Sequence, residues 1–278
     1  MSMLDERFSS LQKLRQHIGE FRDPIEREMA EALLFQGARS AAAETKKHIL
    51  VLLHGMNTYA EWQEVLAEPI RNETNIEPAV VGYGNFHPVK FFMPGRYRQK
   101  RIDVVLRDLT GLRASNPNAD ISIVAHSFGS YIFSKIIEKS AEIKFHRVIL
   151  CGSVVETDYN WAAVSRRMTA PVVNDIGRWD YWPSLAKSWS WGYGDSGSLG
   201  FKNSFVRDRY YDFGHSDFLN VEHMKNYWLP YLIDGRVVSS PYTNERPKIQ
   251  GIERVVRDFS WFYLLLIAFF VYVGFLIF

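Results

Sequence analysis

The sequence predicts an α/β protein built on a doubly wound, mainly parallel sheet. Two observations carry that prediction. Short, continuous apolar runs rich in β-branched residues recur at 47–53, 79–84, 121–125, 147–153 and 171–176, and unbroken apolar runs of this length suit strands buried on both faces. Between them lie stretches with helical spacing, joined by short polar connections, which is the alternation of a parallel sheet wrapped by helices. In such sheets a ligand sits at the carboxyl ends of the strands. His54, Ser127 and the loop after Ile176 all fall at such ends.

Each element follows from its local pattern. Residues 1–44 form an N-terminal helical segment. Leu4, Phe8, Leu11, Leu14, Ile18 and Phe21 recur at spacings of three and four. Asp23 then caps a new helix, Pro24 suits its first position and Glu26 completes a capping box. The apolar stripe continues through Ile25, Met29, Leu33 and Phe35. After the run at 47–53 come His54, Gly55 and Met56, and Thr58 with Glu61 makes a second capping box. Residues 85–98 form a Pro/Gly-punctuated loop with Phe86, Phe91, Phe92 and Met93. Ile102, Val105, Leu106, Leu109 and Leu112 mark a helix over 99–114. Residues 184–205 read as an irregular insert rich in Trp, Gly and Ser, and 207–212 as the last strand. Ser216 is expected to cap a final helix carrying Leu219, Val221, Met224, Tyr227, Trp228 and Tyr231.

Bulk properties narrow the function. The chain has 278 residues and a formal net charge of +2, so no strong field points to nucleic acid. A single cysteine, Cys151, rules out an intrachain disulfide framework and a multi-cysteine metal site. The first ten residues lack the apolar core of a secretory signal.

The centre of the chain is 121–130, ISIVAHSFGS. A buried strand ends abruptly at Ala125-His126-Ser127-Phe128-Gly129 and a helix follows at once. Small residues two before and two after the serine let strand and helix pack closely and leave Ser127 exposed on a strained turn. The stretch resembles the G-x-S-x-G nucleophile elbow of the α/β-hydrolase superfamily, with Ala125 in place of the first glycine. The resemblance covers 45–235 as a catalytic domain. It implies that Ser127 is the nucleophile and His215, in Phe213-Gly214-His215-Ser216, the general base. It implies an acid at Asp180, in the loop Gly177-Arg178-Trp179-Asp180-Tyr181-Trp182-Pro183, with Asp158 and Asp175 as competitors. The backbone N–H groups of Met56 and Phe128 become the oxyanion hole. His126 is expected to point away from the serine, His223 to lie within the last helix, and His54 to shape its turn rather than bind metal. No cofactor or metal is implied.

Residues 236–258 form a polar connector, and 259–278 is apolar throughout. About twenty helical residues span ~30 Å, the hydrocarbon thickness of a bilayer. Trp261 and Tyr263 suit an interface, and Lys248, Arg254 and Arg257 keep the flanking domain cytoplasmic. The expectation is a single-pass membrane protein with a C-terminal transmembrane anchor. It cleaves acyl esters of lipids or thioesters, as a lipase, phospholipase, esterase or thioesterase. The aromatic loops at 86–93 and 189–201 either line an acyl pocket or lid, or simply pack on the domain. The competing class is a catalytically silent hydrolase fold used as a membrane interaction module. Oligomeric state is left open.

Overall fold

The computed structural model describes residues 13, 16, 18, 23–44, 46–55, 61–82 and 95–242. The expected transmembrane helix at 259–278, the donor at Met56, the cap at Thr58 and the loop at 86–93 lie outside these residues. The chain divides into two compact units, Met1–Lys47 and His48–Phe278. In the first, α1 (Pro24–Glu44) begins as expected: Asp23 Oδ1 accepts from the Ile25 N–H at 2.8 Å and Pro24 opens the helix. Ile25, Met29 and Leu33 along it are exposed.

The second unit is built on a six-stranded sheet of order β2-β1-β3-β4-β5-β6. The strands are β1 (His48–Leu53), β2 (Ile76–Val81), β3 (Asp120–His126), β4 (Val148–Cys151), β5 (Val172–Gly177) and β6 (Val206–Tyr211). Every pairing within it is parallel. From β1 the chain steps outward to β2, then returns to lay β3 on the other side. The switch point therefore lies between β1 and β3, beyond whose carboxyl ends sheets of this kind bind their ligands.

Period-two alternation sends each strand's side chains into two separate cores. On one face Val51, Leu53, Ile121, Ile123, Val148 and Leu150 pack against α3 (Arg96–Ser115), through Ile102, Val105 and Leu109, and α4 (Phe128–Lys139), through Ile132 and Phe133. On the other, Leu50, Leu52, Val124, Ile149 and Val173 meet α2 (Glu61–Glu73) and the C-terminal helix. Two buried faces are why these strands read as continuous apolar runs.

Three elements differ from the sequence expectation. β2 begins at Ile76 and ends at Val81, three residues earlier than 79–84. Glu77 and Pro78 disguise its start, and the strand tolerates Pro78 because it is an edge with a single neighbour. The final helix is capped by Asn220, whose Oδ1 accepts from the His223 N–H at 2.8 Å, and not by Ser216. It runs through α8 (Val221–His223), a π-turn (Met224–Trp228) and α9 (Leu229–Asp234).

The insert at 184–205 is ordered. After α5 (Trp161–Val164), it carries the end of α6 (Trp182–Trp189) and all of α7 (Ser196–Leu199). Its backbone is bound to the loop after β4: Gly194 N donates to Val154 O at 2.8 Å and Gly197 N to Ser153 O at 2.7 Å. Arg98 on α3 donates to Trp191 O at 2.7 Å, and its guanidinium lies 3.9 Å from the Tyr193 ring centroid. Sequence periodicity misses this because the insert is held by contacts with distant backbone, not by a repeating apolar stripe.

A buried polar hub ties the C-terminal helix to the sheet. Asp175 in β5 accepts from Arg209 Nε at 2.6 Å, His223 Nε2 at 2.9 Å and Trp228 Nε1 at 2.8 Å. Arg209 also donates to Tyr227 O at 3.1 Å and Val238 O at 3.3 Å. Burial pushes the Asp175 carboxyl up, but Arg209 and His223 outweigh it and hold it down at about 2. The carboxyl therefore titrates lower in the folded chain than in the unfolded one. Its contribution is complete above pH ~4 and is lost as the pH falls towards the folded value. Asp175→Asn would leave Arg209 buried without its counter-charge, and urea unfolding at pH 7 should show a loss of about 3–5 kcal/mol. The gap between the proteins should narrow by about 2 kcal/mol as the pH falls below ~4.

Candidate active site

The turn after β3 holds Ser127 in an unusual backbone conformation, and the residue is buried there rather than exposed as the sequence suggests. Ser127 adopts φ 54° and ψ −122°, and is the only non-glycine residue with positive φ among the described residues. Such a conformation is costly and survives only where its surroundings over-determine it. Here Ser127 N donates to Cys151 O at 3.1 Å, and the Ser130 hydroxyl donates to Ser127 O at 2.6 Å while accepting from Val154 N at 3.1 Å. Gly129 lets α4 close onto β1, since a Cβ there would stand 2.7 Å from Leu53 O and 2.8 Å from His54 O.

Ser127, Asp180 and His215 meet at the carboxyl edge of the sheet. His215 Nε2 lies 2.9 Å from Ser127 Oγ. His215 Nδ1 lies 2.9 Å from Asp180 Oδ2 and 3.0 Å from Oδ1. A carboxylate only accepts, so Nδ1–H donates to Asp180. Asp180 is buried and fixed on both sides: its Oδ1 accepts from the Trp182 N–H at 3.1 Å, and its carbonyl accepts from the Ser198 hydroxyl at 2.6 Å. Gly152, after β4, makes room for the imidazole. A Cβ there would come within 3.0 Å of His215 Cε1 and Nδ1, and its φ of 53° already disfavours a side chain.

The competing residues are elsewhere. Asp158 is exposed in the loop after β4. Asp175 lies inside β5 and is saturated by its own donors. His223 belongs to that hub and not to the site. His54 turns back on its own chain, with Nδ1 donating to Gly55 O at 2.7 Å, and burial lowers its pKa. Phe128 opens α4, is fully buried and stacks on Tyr131 with centroids 5.8 Å apart.

His126, expected only to point away from the serine, turns towards the histidine loop. Its Nε2 lies 2.8 Å from the carbonyl oxygen of His215, and the two imidazole centroids are 4.8 Å apart. A carbonyl only accepts, so Nε2–H donates. Burial, and to a lesser extent His215 beside it, pushes its pKa down to about 3. His126 thus pins the backbone of the histidine loop to the strand that carries the serine. Strand alternation offers the one sequence signal, since His126 shares its face with Val124 and so with the core on which the last helix packs. Ser198 had none, because it reaches Asp180 only through the folded insert.

The strand order, the strained turn at the end of β3 and the chain order Ser127, Asp180, His215 are together those of the α/β-hydrolase fold. No family model matches the chain, and no curated protein does. Among solved structures, it is similar to a cold-adapted esterase from an Arctic intertidal metagenomic library, at 16% identity and a TM-score of 0.42 over 64% of this chain and 82% of that one. It is similar to Est1E from Butyrivibrio proteoclasticus at 12% identity and a TM-score of 0.42, over 65% of this chain and 85% of that one. A putative α/β hydrolase from Agrobacterium tumefaciens aligns at 11% identity and a TM-score of 0.46, over 70% and 89% of the two chains.

His126→Phe keeps an aromatic ring but removes the donor to His215 O. Urea unfolding at pH 8 should show a loss of about 1–3 kcal/mol for the stranded carbonyl. The His126 pKa is depressed on folding, so below ~6.5 the unfolded chain takes up a proton that the folded chain refuses. The parent then loses about 2 kcal/mol by pH 5 that the variant does not, and the two stabilities should converge there.

Proposed function

We propose that this protein is a serine hydrolase that cleaves acyl esters through an acyl-enzyme. The observation that carries the reading is the unbroken hydrogen-bonded line from Asp180 through both nitrogens of His215 to Ser127 Oγ. His215 takes the hydroxyl proton as Ser127 attacks the acyl carbonyl, and Asp180 holds the tautomer and offsets the imidazolium charge. The Phe128 N–H, at the opening of α4, and the Met56 N–H, after Gly55, receive the oxyanion, each stabilising it by ~3 kcal/mol. His215 then gives its proton to the leaving alkoxide or thiolate. A water, deprotonated by the same imidazole, releases the acyl group and restores Ser127.

In this reading the apolar segment 259–278 spans a membrane, with Lys248, Arg254 and Arg257 keeping the hydrolase domain on the cytoplasmic side. The substrates are acyl esters of membrane lipids or thioesters presented at that surface. Support comes from the length and uninterrupted apolarity of the segment. No helix among the described residues is long and apolar enough to cross a membrane.

Ser127→Ala should lower ester turnover by ~10⁴-fold or more with an unchanged urea midpoint, and should abolish covalent labelling by a fluorophosphonate. Turnover persisting in that variant would refute the assignment. The lipid reading expects the full chain in vesicles to cleave long-chain esters, and fails if only short soluble esters react.

A further inference from the structure

We propose that the aromatic rim at Trp179–Trp182 is a bilayer-facing surface that seats the mouth of the site against the membrane. The proposal rests on the reading of 259–278 as a membrane anchor.

Trp179, Tyr181 and Trp182 are 59%, 48% and 51% exposed, although they surround the buried Asp180. Three large rings facing water within four residues form an apolar surface that the described fold leaves uncovered. The Trp182 ring lies beside the site, 6.2 Å from the His215 imidazole between centroids.

The chain leaves the described domain at this same rim. After α9 it passes β6, where Arg209 holds Val238 O and the Ser240 hydroxyl accepts from Tyr210 N at 3.0 Å. It ends on Tyr242, whose hydroxyl donates to Asp212 and whose ring centre lies 4.3 Å from the Arg178 guanidinium. Arg178, paired with Asp212 at 3.0 Å, is the residue before Trp179. Tyr242, within the connector, therefore packs on Arg178, the residue next in sequence to the exposed rings. A tether rooted there brings this edge of the sheet to the bilayer at a high effective concentration. The residue types match that destination, because Trp and Tyr settle at the headgroup boundary. A protein partner gains nothing from the tether's position, so the bilayer is the occupant that both observations favour.

The test uses the full chain. Cys151 is the sole cysteine and is buried, so an introduced thiol can be labelled alone. Trp179→Cys, and separately Tyr181→Cys, would carry an environment-sensitive fluorophore, with Lys139→Cys at the far end of α4 as the exposed reference. The labelled proteins are reconstituted into phosphatidylcholine–phosphatidylserine vesicles and floated. Two rim positions are used so that one poorly folded variant does not decide the result. In vesicles, both rim labels should shift to the blue and be quenched by aqueous iodide at least about threefold less than the label at 139. Flotation with rim and reference equally quenched overturns the surface and leaves the anchor standing. Failure to float overturns both. Rim protection that appears in detergent and rises with protein concentration identifies a second copy as the occupant and overturns the bilayer proposal.

Discussion

A single residue, Ser127, is held in a backbone conformation that costs about 1–3 kcal/mol in isolation, and the geometry of the site depends on its being held. The restraint comes from three directions. The middle of a parallel sheet fixes β3 on both sides. The α4 helix is drawn onto β1 by the missing side chain at Gly129. Ser130 ties the turn to the loop after β4.

Two aspartates five positions apart show how surroundings divide the work. Asp175 lies within β5 and is surrounded by arginine, histidine and indole donors, so its charge is consumed in tying the last helix to the sheet. Asp180 lies just past the strand, where the chain can turn. Its carboxylate takes one backbone N–H and the His215 imidazole. The first carboxylate is rigid and enclosed, while the second remains directed at a side chain on the site's edge.

The histidine loop is similarly braced from below. His126 holds its backbone, Gly152 leaves room for its ring and Phe213 and Phe218 pack it against His223. The Asp175 hub and the site are therefore mechanically joined: the residue that closes the hub, His223, also forms the floor of the loop that carries His215. The insert completes the frame from the other side, binding the backbone after β4 and donating Ser198 to Asp180.

Much of this was legible in the chain itself. The continuous apolar runs of β1, β3, β4 and β5 follow from burial on both faces, and the small residues around Ser127 follow from the close packing of a sharp turn. Ser127 stands out because it directly follows β3, whereas Asp180 and His215 come from the resemblance to the α/β-hydrolase pattern. β2 was misplaced because an edge strand, half exposed and interrupted by Pro78, loses the pattern that burial imposes. The insert escaped because backbone-to-backbone tethers leave no periodic trace.

By itself the sequence determined the order of strands and helices, the residues at the strand ends and the apolar character of 259–278, since these follow from local spacing and hydrophobicity. Only the tertiary structure decided which aspartate faces the imidazole, that His126 braces its backbone, and which exposed rings share a rim with the departing chain. Those outcomes depend on residues tens of positions apart being brought within a few ångströms, which no local pattern encodes.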